Sequence, residues 1–409
     1  MKNKLAIIGG GASGLIAAIA AARNNPSLPV TLFERNTRVG KKILVTGNGR
    51  CNLTNTDLTE YHYHGEDVGF VSVALSSFGL EKTLEFFADI GLLTKAEGNE
   101  IYPYSLQAGT VLDLLRAECD KRSVEILCDQ YITSLKKINN QFIINDIAFD
   151  SVIVACGGKA SPHLGTDGSS YQLLTDFGHT LTELYPVITQ IKTETDYVKQ
   201  LKGIKIEAVA EIVAANLTRT CIGEVLFTEY GLSGPAILDL SRIAATNTQN
   251  SPVIHIDTMP EYSRDEITAI LTKKANKQNG TLEELLTGIL NKRLGQVLLK
   301  YAGFDLKYEI SLLSYKEIKK ISAAIKQFSF KVTGVKGFQN APVTAGGIRT
   351  KDFNNTTMES KLCPGLYATG EILDIDGDCG GWNLQWAWSS GYLAGKSAAE
   401  KLKNGDKND

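Results

Sequence analysis

The first 35 residues alternate short apolar runs with a glycine turn and a helix-forming segment. Residues 4–9 (KLAIIG) are apolar and end in glycines, residues 13–23 (SGLIAAIAAAR) are strong helix formers, and residues 30–34 (VTLFE) are apolar again. Short apolar runs next to glycines are typical of buried strands. The pattern therefore predicts a strand, a helix and a second strand that form a βαβ unit.

The following segment mixes helical and strand patterns. Residues 80–92 and 108–122 have a helical pattern, and residues 124–127 return to a strand pattern. Between residues 132 and 155, short apolar runs alternate with Asn and Asp turns. This arrangement predicts a small antiparallel meander and then an apolar strand that ends at Gly157.

The pattern changes between residues 190 and 342. Strand-like runs occupy about 190–257 and 328–342, and a stretch rich in Lys, Glu and Leu at about 258–327 has a helical pattern. Strands followed by helices, without βαβ alternation, indicate an inserted domain. We therefore predict one domain in two segments, with an insertion between them: residues 1–189, 190–342 and 343–409.

The composition is that of a folded protein without a strong charge bias. Hydrophobic residues make up 43% and charged residues 22% of the chain, and 43 Lys and Arg face 45 Asp and Glu, a net charge of −2. A chain without a basic field is not expected to have nucleic acid as its main partner. The apolar stretch 15–22 is too short to span a bilayer, so we expect a cytoplasmic protein without a signal peptide or membrane contact.

The cysteines and the acidic run near the C-terminus do not predict a metal site. The seven cysteines are scattered and form no C-x-x-C pair, so we expect reduced thiols. The run 374–378 (DIDGD) does not continue as a calcium-binding loop. A solvated acidic loop is the alternative interpretation of its three Asp residues. We likewise expect a surface loop at His62 and His64.

The first glycine turn has the pattern G-x-G-x-x-G at Gly9, Gly11 and Gly14, and Glu34 lies twenty residues further on. In dinucleotide-binding folds the first glycine permits the tight turn, the second admits the pyrophosphate, and the third allows close helix packing. The helix N-terminus favours the phosphate charge. Glu34 would accept hydrogen bonds from ribose hydroxyls, which argues against the 2′-phosphate of NADP. The motif alone does not separate FAD from NAD.

Three further segments favour FAD. Residues 40–55 (GKKILVTGNGRCNLTN) stand where a protein that binds only NAD would continue into a helix, and their small and amide residues suit a planar ligand. Residues 152–158 (VIVACGG) resemble the alanine-threonine-glycine strand end of two-dinucleotide flavoproteins, with Cys156 in place of Thr. Gly370 and Glu371 end a strand before the last helix, where an acid after a glycine holds the ribityl chain in many FAD proteins. A helix N-terminus there would stabilise negative charge on the flavin.

Five runs resemble one family of bacterial flavoproteins, the BaiN-like or aminoacetone-oxidase-type FAD-binding enzymes. The resemblance spans nearly the whole chain and implies an α/β fold, with a Rossmann-type FAD-binding domain interrupted by a β-barrel-like and helical insertion. The runs are GGGASG, GKKILVTGNGRCNLTN, LFTEYGLSGPAIL, NAPVTAGGI and GEILDIDGDCGGWNLQWAWSSGYLAG.

The resemblance also implies which residues line FAD. Ile132 is expected to contact adenine through its backbone, and Gly9 forms the turn. Asn48, Arg50 and Tyr102 are candidates for the flavin-facing pocket, although Tyr102 has the alternative of an ordinary packed aromatic. The remaining expected FAD contacts are Gly11, Ser13, Gly14, Glu34, Arg35, Lys42, Thr46, Gly47, Asn48, Cys51, Ala155, Gly157, Gly370, Glu371, Asn383 and Leu384.

These observations predict an FAD-dependent oxidoreductase that acts on a small organic substrate by hydride transfer to or from the flavin. Two alternatives stay open, a flavin-binding redox sensor or scaffold, and an RNA-modifying flavoenzyme. The second alternative needs a basic groove, and the lysines of the helical stretch alternate with acids. No second glycine fingerprint for NAD(P)H occurs between Gly158 and Pro342, so a nicotinamide would have no dedicated site.

Overall fold

The computed structural model describes residues 3–405, and the chain divides into two units. The first unit consists of Met1–Tyr185 and Ala341–Asp409, and the second consists of Pro186–Asn340. The unit boundaries therefore lie at residues 185 and 340, beside the expected boundaries at 189 and 342.

A five-stranded parallel sheet forms the centre of the first unit. The pattern of apolar runs predicted its strands because four of them are buried at every residue. The outermost strand, Glu125–Leu127, is partly exposed. Every neighbouring pair in the sheet is parallel, as the Rossmann-type prediction requires. The strands in spatial order are Leu366–Ala368, Ser151–Val154, Leu5–Ile8, Val30–Phe33 and Glu125–Leu127.

The first helix, Ala12–Asn24, and the C-terminal helix, Trp382–Gly405, pack closely against each other in this unit. Two glycines of the C-terminal helix permit the close approach. A Cβ atom on Gly391 would lie 2.4 Å from the carbonyl oxygen of Ser13, and one on Gly395 would lie 2.1 Å from that of Ala17. The C-terminal helix therefore belongs to the same core as the first strand and the first helix.

The remaining elements of the first unit are short. The predicted meander is present at residues 136–149, and a two-stranded ladder joins Tyr63–His64 to Asp376–Gly377. The other helices are Gly69–Ser77, Leu80–Asp89, Ala108–Lys121 and Gln172–Thr175. The other strands are Thr54–Asn55, Thr94–Glu97, Glu100–Pro103, Lys136–Ile138, Gln141–Ile144, Ile147–Phe149 and Val343–Ala345. The strand Tyr185–Val187 lies at the boundary between the units in the sequence.

The second unit contains a closed six-stranded antiparallel barrel, which confirms the barrel-like insertion implied by the family resemblance. The helix Pro235–Thr246 lies within the part of the sequence expected to be strand-rich, so that expectation missed one element. Capping boxes begin two of the later helices, at Ser263 and Ser314. The barrel strands in spatial order are Ile191–Thr193, Gly231–Ser233, Leu217–Phe227, Lys205–Ala214, Val253–Asp257 and Phe328–Val335. The later helices are Arg264–Ala275, Lys292–Tyr301 and Tyr315–Lys326.

Candidate functional site

A cleft of about 1340 Å³, counting its open mouth, lies at the carboxyl ends of the parallel strands in the first unit. Open α/β sheets bind ligands at this edge because the strand-to-helix turns meet there. The lining residues are 8–13, 33–36, 40–43, 45–46, 130–132, 155–157, 161, 164–166, 170, 342–343, 371, 375, 383–384 and 386–387.

The structure gives a different reason for glycine at each of the three motif positions. Gly9 has a φ of +109°, and a Cβ there would lie 2.5 Å from the carbonyl oxygen of Ala155. A Cβ on Gly14 would lie 1.9 Å from the carbonyl oxygen of Gly9. Gly11 has an ordinary φ of −82° and no protein atom within 4 Å of an added Cβ. Neither backbone conformation nor protein packing therefore requires glycine at position 11, where an added side chain would enter the cleft.

Gly11 is also the N-cap of the first helix and has no side chain to accept hydrogen bonds from the first turn. The first amide groups of a helix lack intrahelical partners and carry partial positive charge. An anionic group in the cleft would satisfy these amides, as a pyrophosphate does in dinucleotide-binding folds.

Glu34 lies at the end of the second strand, is 7% exposed and lines the cleft. One carboxylate oxygen accepts from the backbone N–H of Gly10 at 2.9 Å. The other accepts from the backbone and the side chain of Asn36, at 2.8 and 2.7 Å. The carboxylate is therefore held rigidly, and its oxygens keep further lone pairs for hydroxyl donors such as those of a ribose.

Lys42 and Glu371 form an ion pair at the edge of the cleft, with 2.6 Å between Nζ and Oε2. The other oxygen of Glu371 accepts from the backbone N–H of Thr344 at 2.9 Å. Both side chains are about one-fifth exposed and line the cleft. The pair brings together two residues, 329 positions apart, that were expected to contact the same ligand.

Arg35 and Tyr131 form a further part of the lining, in which a guanidinium lies over an aromatic ring. The Arg35 guanidinium carbon lies 4.2 Å from the centre of the Tyr131 ring, and the guanidinium pairs with Asp167 at 2.9 Å. Ile132, expected at the adenine, follows directly and is buried. Tyr131 was not predicted from the sequence, although an aromatic residue beside the expected adenine contact was a usable signal.

The C-terminal helix begins at the cleft, where Asn383 and Leu384 are lining residues. The Asn383 side chain accepts from Gly377 N–H at 2.9 Å and donates to the carbonyl oxygens of Gly377 and Asp378 at 2.7 and 3.2 Å. These bonds close the loop that precedes the helix. Asn383 therefore shapes the cleft wall through the backbone that it ties.

Thirteen of the expected FAD contacts line the cleft, and five do not. Gly14 and Gly370 lie behind the lining, where each contacts a neighbouring element closely. Gly47, Asn48 and Cys51 have positive φ angles of 55°, 56° and 60°, so this segment is a left-handed turn beside the cleft. The thirteen are Gly9, Gly11, Ser13, Glu34, Arg35, Lys42, Thr46, Ile132, Ala155, Gly157, Glu371, Asn383 and Leu384.

None of the three residues expected in the flavin-facing pocket lines the cleft, and two of them, Arg50 and Tyr102, contact each other. Arg50 stacks over the Tyr102 ring at 4.4 Å, donates to its hydroxyl at 3.2 Å and pairs with Glu97 at 2.9 Å. The Tyr102 hydroxyl donates to Glu100, and burial together with that carboxylate raises the pKa of Tyr102. Asn48 is exposed. The described contacts therefore favour the packed-aromatic alternative for Tyr102.

The cysteines near the cleft are protonated thiols. Burial raises the pKa of Cys51 to about 12, and it raises that of Cys156 to about 12 as well. Cys156 lines the cleft and donates to the carbonyl oxygen of Ile8 at 3.2 Å. A thiol that stays protonated at neutral pH is a poor nucleophile.

The solvated-loop interpretation of the acidic run is wrong. Asp374, Asp376 and Asp378 are 4%, 1% and 8% exposed. His62 and His64 lie in a helical turn and a strand and not in the expected loop, and both rings bond to Asp378. The reason is the two-stranded ladder between residues 63–64 and 376–377, which pairs segments more than 300 positions apart.

Within residues 3–405, no group of three or more His, Cys, Asp or Glu side chains is arranged to hold a metal ion. No helix in that range combines the length and apolar character needed to cross a membrane.

The residues of the cleft fit a flavin dinucleotide. The space in front of Gly11 and the uncapped helix amides suit a pyrophosphate, and the fixed carboxylate of Glu34 suits a ribose. The Lys42–Glu371 pair and the helix start at Asn383 supply polar and charged groups at further points of the lining.

Comparisons with known proteins agree with this geometry. The family model described as HI0933-like protein Rossmann domain matches residues 3–397. The chain is 41% identical over 407 residues to a 3-dehydro-bile acid delta(4,6)-reductase of Clostridium scindens, which covers 98% of this chain and 100% of that protein. It is 30% identical to a ribosomal RNA dihydrouridine synthase of Haemophilus influenzae, and the match covers 97% of this chain and 98% of that protein.

A solved structure shows the same fold. A chain of E. coli quinol fumarate reductase is 17% identical, with 99% of this chain and 71% of that chain covered and a TM-score of 0.51. The family match and the full-length relatives together place the chain in the HI0933-like family of FAD-binding Rossmann proteins, as an FAD-dependent oxidoreductase.

Proposed function

We propose that this protein is an FAD-dependent reductase of carbon–carbon double bonds conjugated to a carbonyl group. The observation that carries the proposal is the chemistry shared by two full-length relatives. A 3-dehydro-delta(4,6) bile acid has its double bonds in conjugation with the 3-oxo group, and dihydrouridine forms by reduction of the ring double bond next to a uracil carbonyl. Both names describe a reaction, which favours an enzyme over a redox sensor or scaffold.

The cofactor contacts proposed from the cleft follow its geometry. The helix amides at Gly11 would hold the pyrophosphate, and Glu34 would accept from a ribose. Lys42 neutralises Glu371, which lets that carboxylate remain in a mainly apolar cleft and accept from a sugar hydroxyl. When bound there, FAD supplies the hydride chemistry that amino-acid side chains lack.

The reaction adds one hydride and one proton across the substrate double bond. Conjugation makes the β-carbon electron-poor, so it accepts the hydride, and the α-carbon then takes the proton. The substrate is reduced by two electrons. The chain's own contribution is to orient the reacting groups and to exclude water.

An anaerobic half-reaction tests the proposal. The FAD-loaded protein is photoreduced and mixed with a 4,6-dien-3-one steroid, with the saturated 3-oxo steroid as the control. We expect the flavin absorbance to return with the dienone, together with a product that has gained two hydrogens, and no return with the saturated ketone. If the flavin stays reduced with the dienone, and an alcohol or amine instead reduces the oxidised protein, an oxidase replaces the proposed reductase.

RNA as substrate is a second candidate, favoured by the distribution of charge. Residues 186–340 contain 20 Lys and Arg against 16 Asp and Glu, a net +4, while the other residues contain 23 against 29, a net −6. The whole excess of positive charge lies in the helical stretch 258–327, which contains 12 Lys and Arg and 8 Asp and Glu. Basic helical surfaces bind phosphates, and a dihydrouridine synthase is among the relatives.

Filter binding to a structured RNA hairpin separates the two candidates. We expect an RNA-directed enzyme to retain the hairpin at physiological salt, and the triple variant Lys316→Ala, Lys319→Ala and Lys320→Ala to lower the salt slope by about 0.7–0.9 per lost phosphate contact. The matched control replaces three exposed lysines of the first unit, Lys82, Lys121 and Lys136, by Ala. No retention by the wild type removes this candidate and leaves the small-molecule substrate.

A further inference from the structure

Arg35 and Tyr131 are neighbours in the cleft lining although they are far apart in the sequence. Arg35 follows Glu34 directly, and Tyr131 belongs to the loop after the outermost strand of the parallel sheet. The backbone N–H of Gln130 donates to the carbonyl oxygen of Glu34 at 2.8 Å and so joins the two segments. The backbone therefore fixes where Arg35 and Tyr131 lie relative to each other.

The Arg35 guanidinium is held on one face and at one nitrogen. Its carbon lies over the Tyr131 ring, 4.2 Å from the ring centre. Its Nη1 lies 2.9 Å from a carboxylate oxygen of Asp167 and 3.5 Å from the carbonyl oxygen of Gly165. Within residues 3–405 the guanidinium has no other hydrogen-bond, ion-pair or ring partner. A ligand in the cleft can therefore use the face opposite Tyr131.

Stability of the fold is a weak reason for this arrangement. The side chains of Arg35 and Asp167 are 31% and 37% exposed, and ion pairs at such exposure contribute little to stability. Tyr131 is 48% exposed, so its ring gains only part of the free energy that full burial would give. Both Arg35 and Tyr131 line the cleft, which makes a ligand the better reason for their contact.

The position of Glu34 determines which part of FAD reaches these two residues. In the proposed binding mode the diphosphate lies at Gly11, and Glu34 accepts from the ribose of the adenosine half. Adenine is bonded to this ribose at the end opposite the diphosphate, so it extends past Glu34. Arg35 and Tyr131 are the accessible planar side chains next to Glu34.

We propose that the adenine of FAD stacks on the Arg35 guanidinium, and that Tyr131 is a positioning residue that holds this guanidinium in place. The inference rests on the proposed location of FAD in the cleft. A guanidinium is planar and stacks on flat rings, whereas a lysine ammonium is a point charge without a plane. The ion pair with Asp167 offsets the charge of Arg35, which favours stacking over an ion pair with the diphosphate.

The adenine half of FAD is then the part that Arg35 recognises. FAD and ADP both carry this half, so loss of the guanidinium plane should weaken the binding of both by the same factor. A change at the flavin end of the cleft would instead weaken FAD and leave ADP unaffected. The two affinities together therefore show at which end of the ligand Arg35 acts.

Titration of the full-length apoprotein with FAD, followed by flavin fluorescence, and displacement of the bound FAD by ADP test the proposal. Arg35→Lys keeps the charge and removes the plane. We expect Kd for FAD and the inhibition constant of ADP each to rise about tenfold, the loss of one stacked base. Arg38→Lys is the matched control, because Arg38 is exposed on the same segment and lies outside the lining. This control should bind both ligands as the wild type does.

Tyr131 variants separate a positioning role from a structural one. Tyr131→Leu removes the ring under the guanidinium and should raise both constants about threefold. Tyr131→Phe keeps the ring and should bind both ligands as the wild type does. Because Tyr131 acts through Arg35, the double variant Arg35→Lys, Tyr131→Leu should bind no more weakly than Arg35→Lys alone.

The stacking role is overturned if Arg35→Lys binds FAD as the wild type does, if its loss affects FAD and not ADP, or if ADP fails to displace FAD from the wild type. The positioning role is overturned if Tyr131→Leu has no effect, if Tyr131→Phe loses affinity equally, or if the losses in the double variant add. A separate measurement with Gly11→Val tests where FAD binds. If Gly11→Val keeps full affinity, the location of FAD is wrong, whereas loss in Gly11→Val without loss in Arg35→Lys refutes the stacking role alone.

Discussion

At the scale of single residues, Gly11 distinguishes a ligand requirement from a folding requirement. Its backbone is in a conformation open to any residue, and no protein atom lies within 4 Å of an added Cβ. Gly11→Val should therefore fold normally and lose FAD. We expect Kd for FAD to rise at least about 100-fold, equivalent to about 2.8 kcal/mol, by fluorescence titration.

Gly14→Ala is the matched control for this prediction. Its Cβ would lie 1.9 Å from the carbonyl oxygen of Gly9, so this variant should lose stability in urea unfolding. If Gly11→Val also unfolds early, or binds FAD as the wild type does, the assignment of position 11 to the ligand is wrong.

His179 predicts a pH dependence of stability. The ring is 3% exposed and stacks on Phe353 at 4.4 Å, and Nε2 lies 3.0 Å from the Ser360 hydroxyl. The Ser360 oxygen already accepts from two backbone N–H groups, so its proton points to the ring. Burial lowers the pKa of His179 below 6.5, so the folded state holds a neutral ring.

Below pH 6.5 the unfolded chain takes up this proton while the folded chain does not, so stability falls as the pH falls. The stability that depends on a neutral His179 ring is fully present above pH 6.5. In His179→Gln the slope of unfolding free energy against pH below 6.5 should decrease by up to about 1.4 kcal/mol per pH unit. Urea unfolding at several pH values measures it, and equal slopes in both proteins would contradict the prediction.

At the scale of elements, the contact between the first and the C-terminal helix joins the two ends of the chain. The closest approach is at Gly395, where an added Cβ would lie 2.1 Å from the carbonyl oxygen of Ala17. Gly395→Ala should therefore force the helices apart and lower the free energy of unfolding by about 1–3 kcal/mol. Glu400→Ala on an exposed position of the same helix should change it by less than about 0.5 kcal/mol. Equal effects would mean that the helices adjust without cost.

The helices and strands that could be predicted are those determined by residues close together in the sequence. The βαβ unit and the meander follow from apolar runs and glycine turns within a few residues. The helix Pro235–Thr246 was missed because the surrounding strand-like runs dominate its pattern. The burial of Asp378 could not be predicted because its partners, His62 and His64, lie more than 300 positions away.

The same distinction applies to the cleft. The glycine motif and Glu34 were predictable because their spacing is set by one turn and one strand. Residues 161 and 164–166 carry no motif and reach the cleft only through the folded sheet. The motif around Gly47 and Asn48 is recognisable in the sequence. The structure shows one reason for these residue types, because the turn there has consecutive positive φ angles, which few residues adopt.

At the scale of the whole molecule, the division of the sequence into two units bears on which molecule supplies electrons to the flavin. The parallel sheet supplies one cleft of dinucleotide-binding type, whose glycine loop opens the first helix. The second unit, residues 186–340, is built on an antiparallel barrel and not on a second βαβ fold. A Rossmann-type site for NAD(P)H requires a parallel strand, a glycine turn and a helix in succession.

We therefore predict that reduction of the bound flavin by NADH or NADPH saturates poorly. A nicotinamide would contact the protein through few dedicated groups, so the observed rate should rise almost linearly with nucleotide concentration up to about 1 mM, the weak end of the affinity scale. Anaerobic stopped-flow measurement of the flavin absorbance gives this rate, with photoreduced protein as the reference for the fully reduced state. Fast reduction that saturates at micromolar NADH or NADPH would contradict the prediction, because such affinity requires a built nucleotide site.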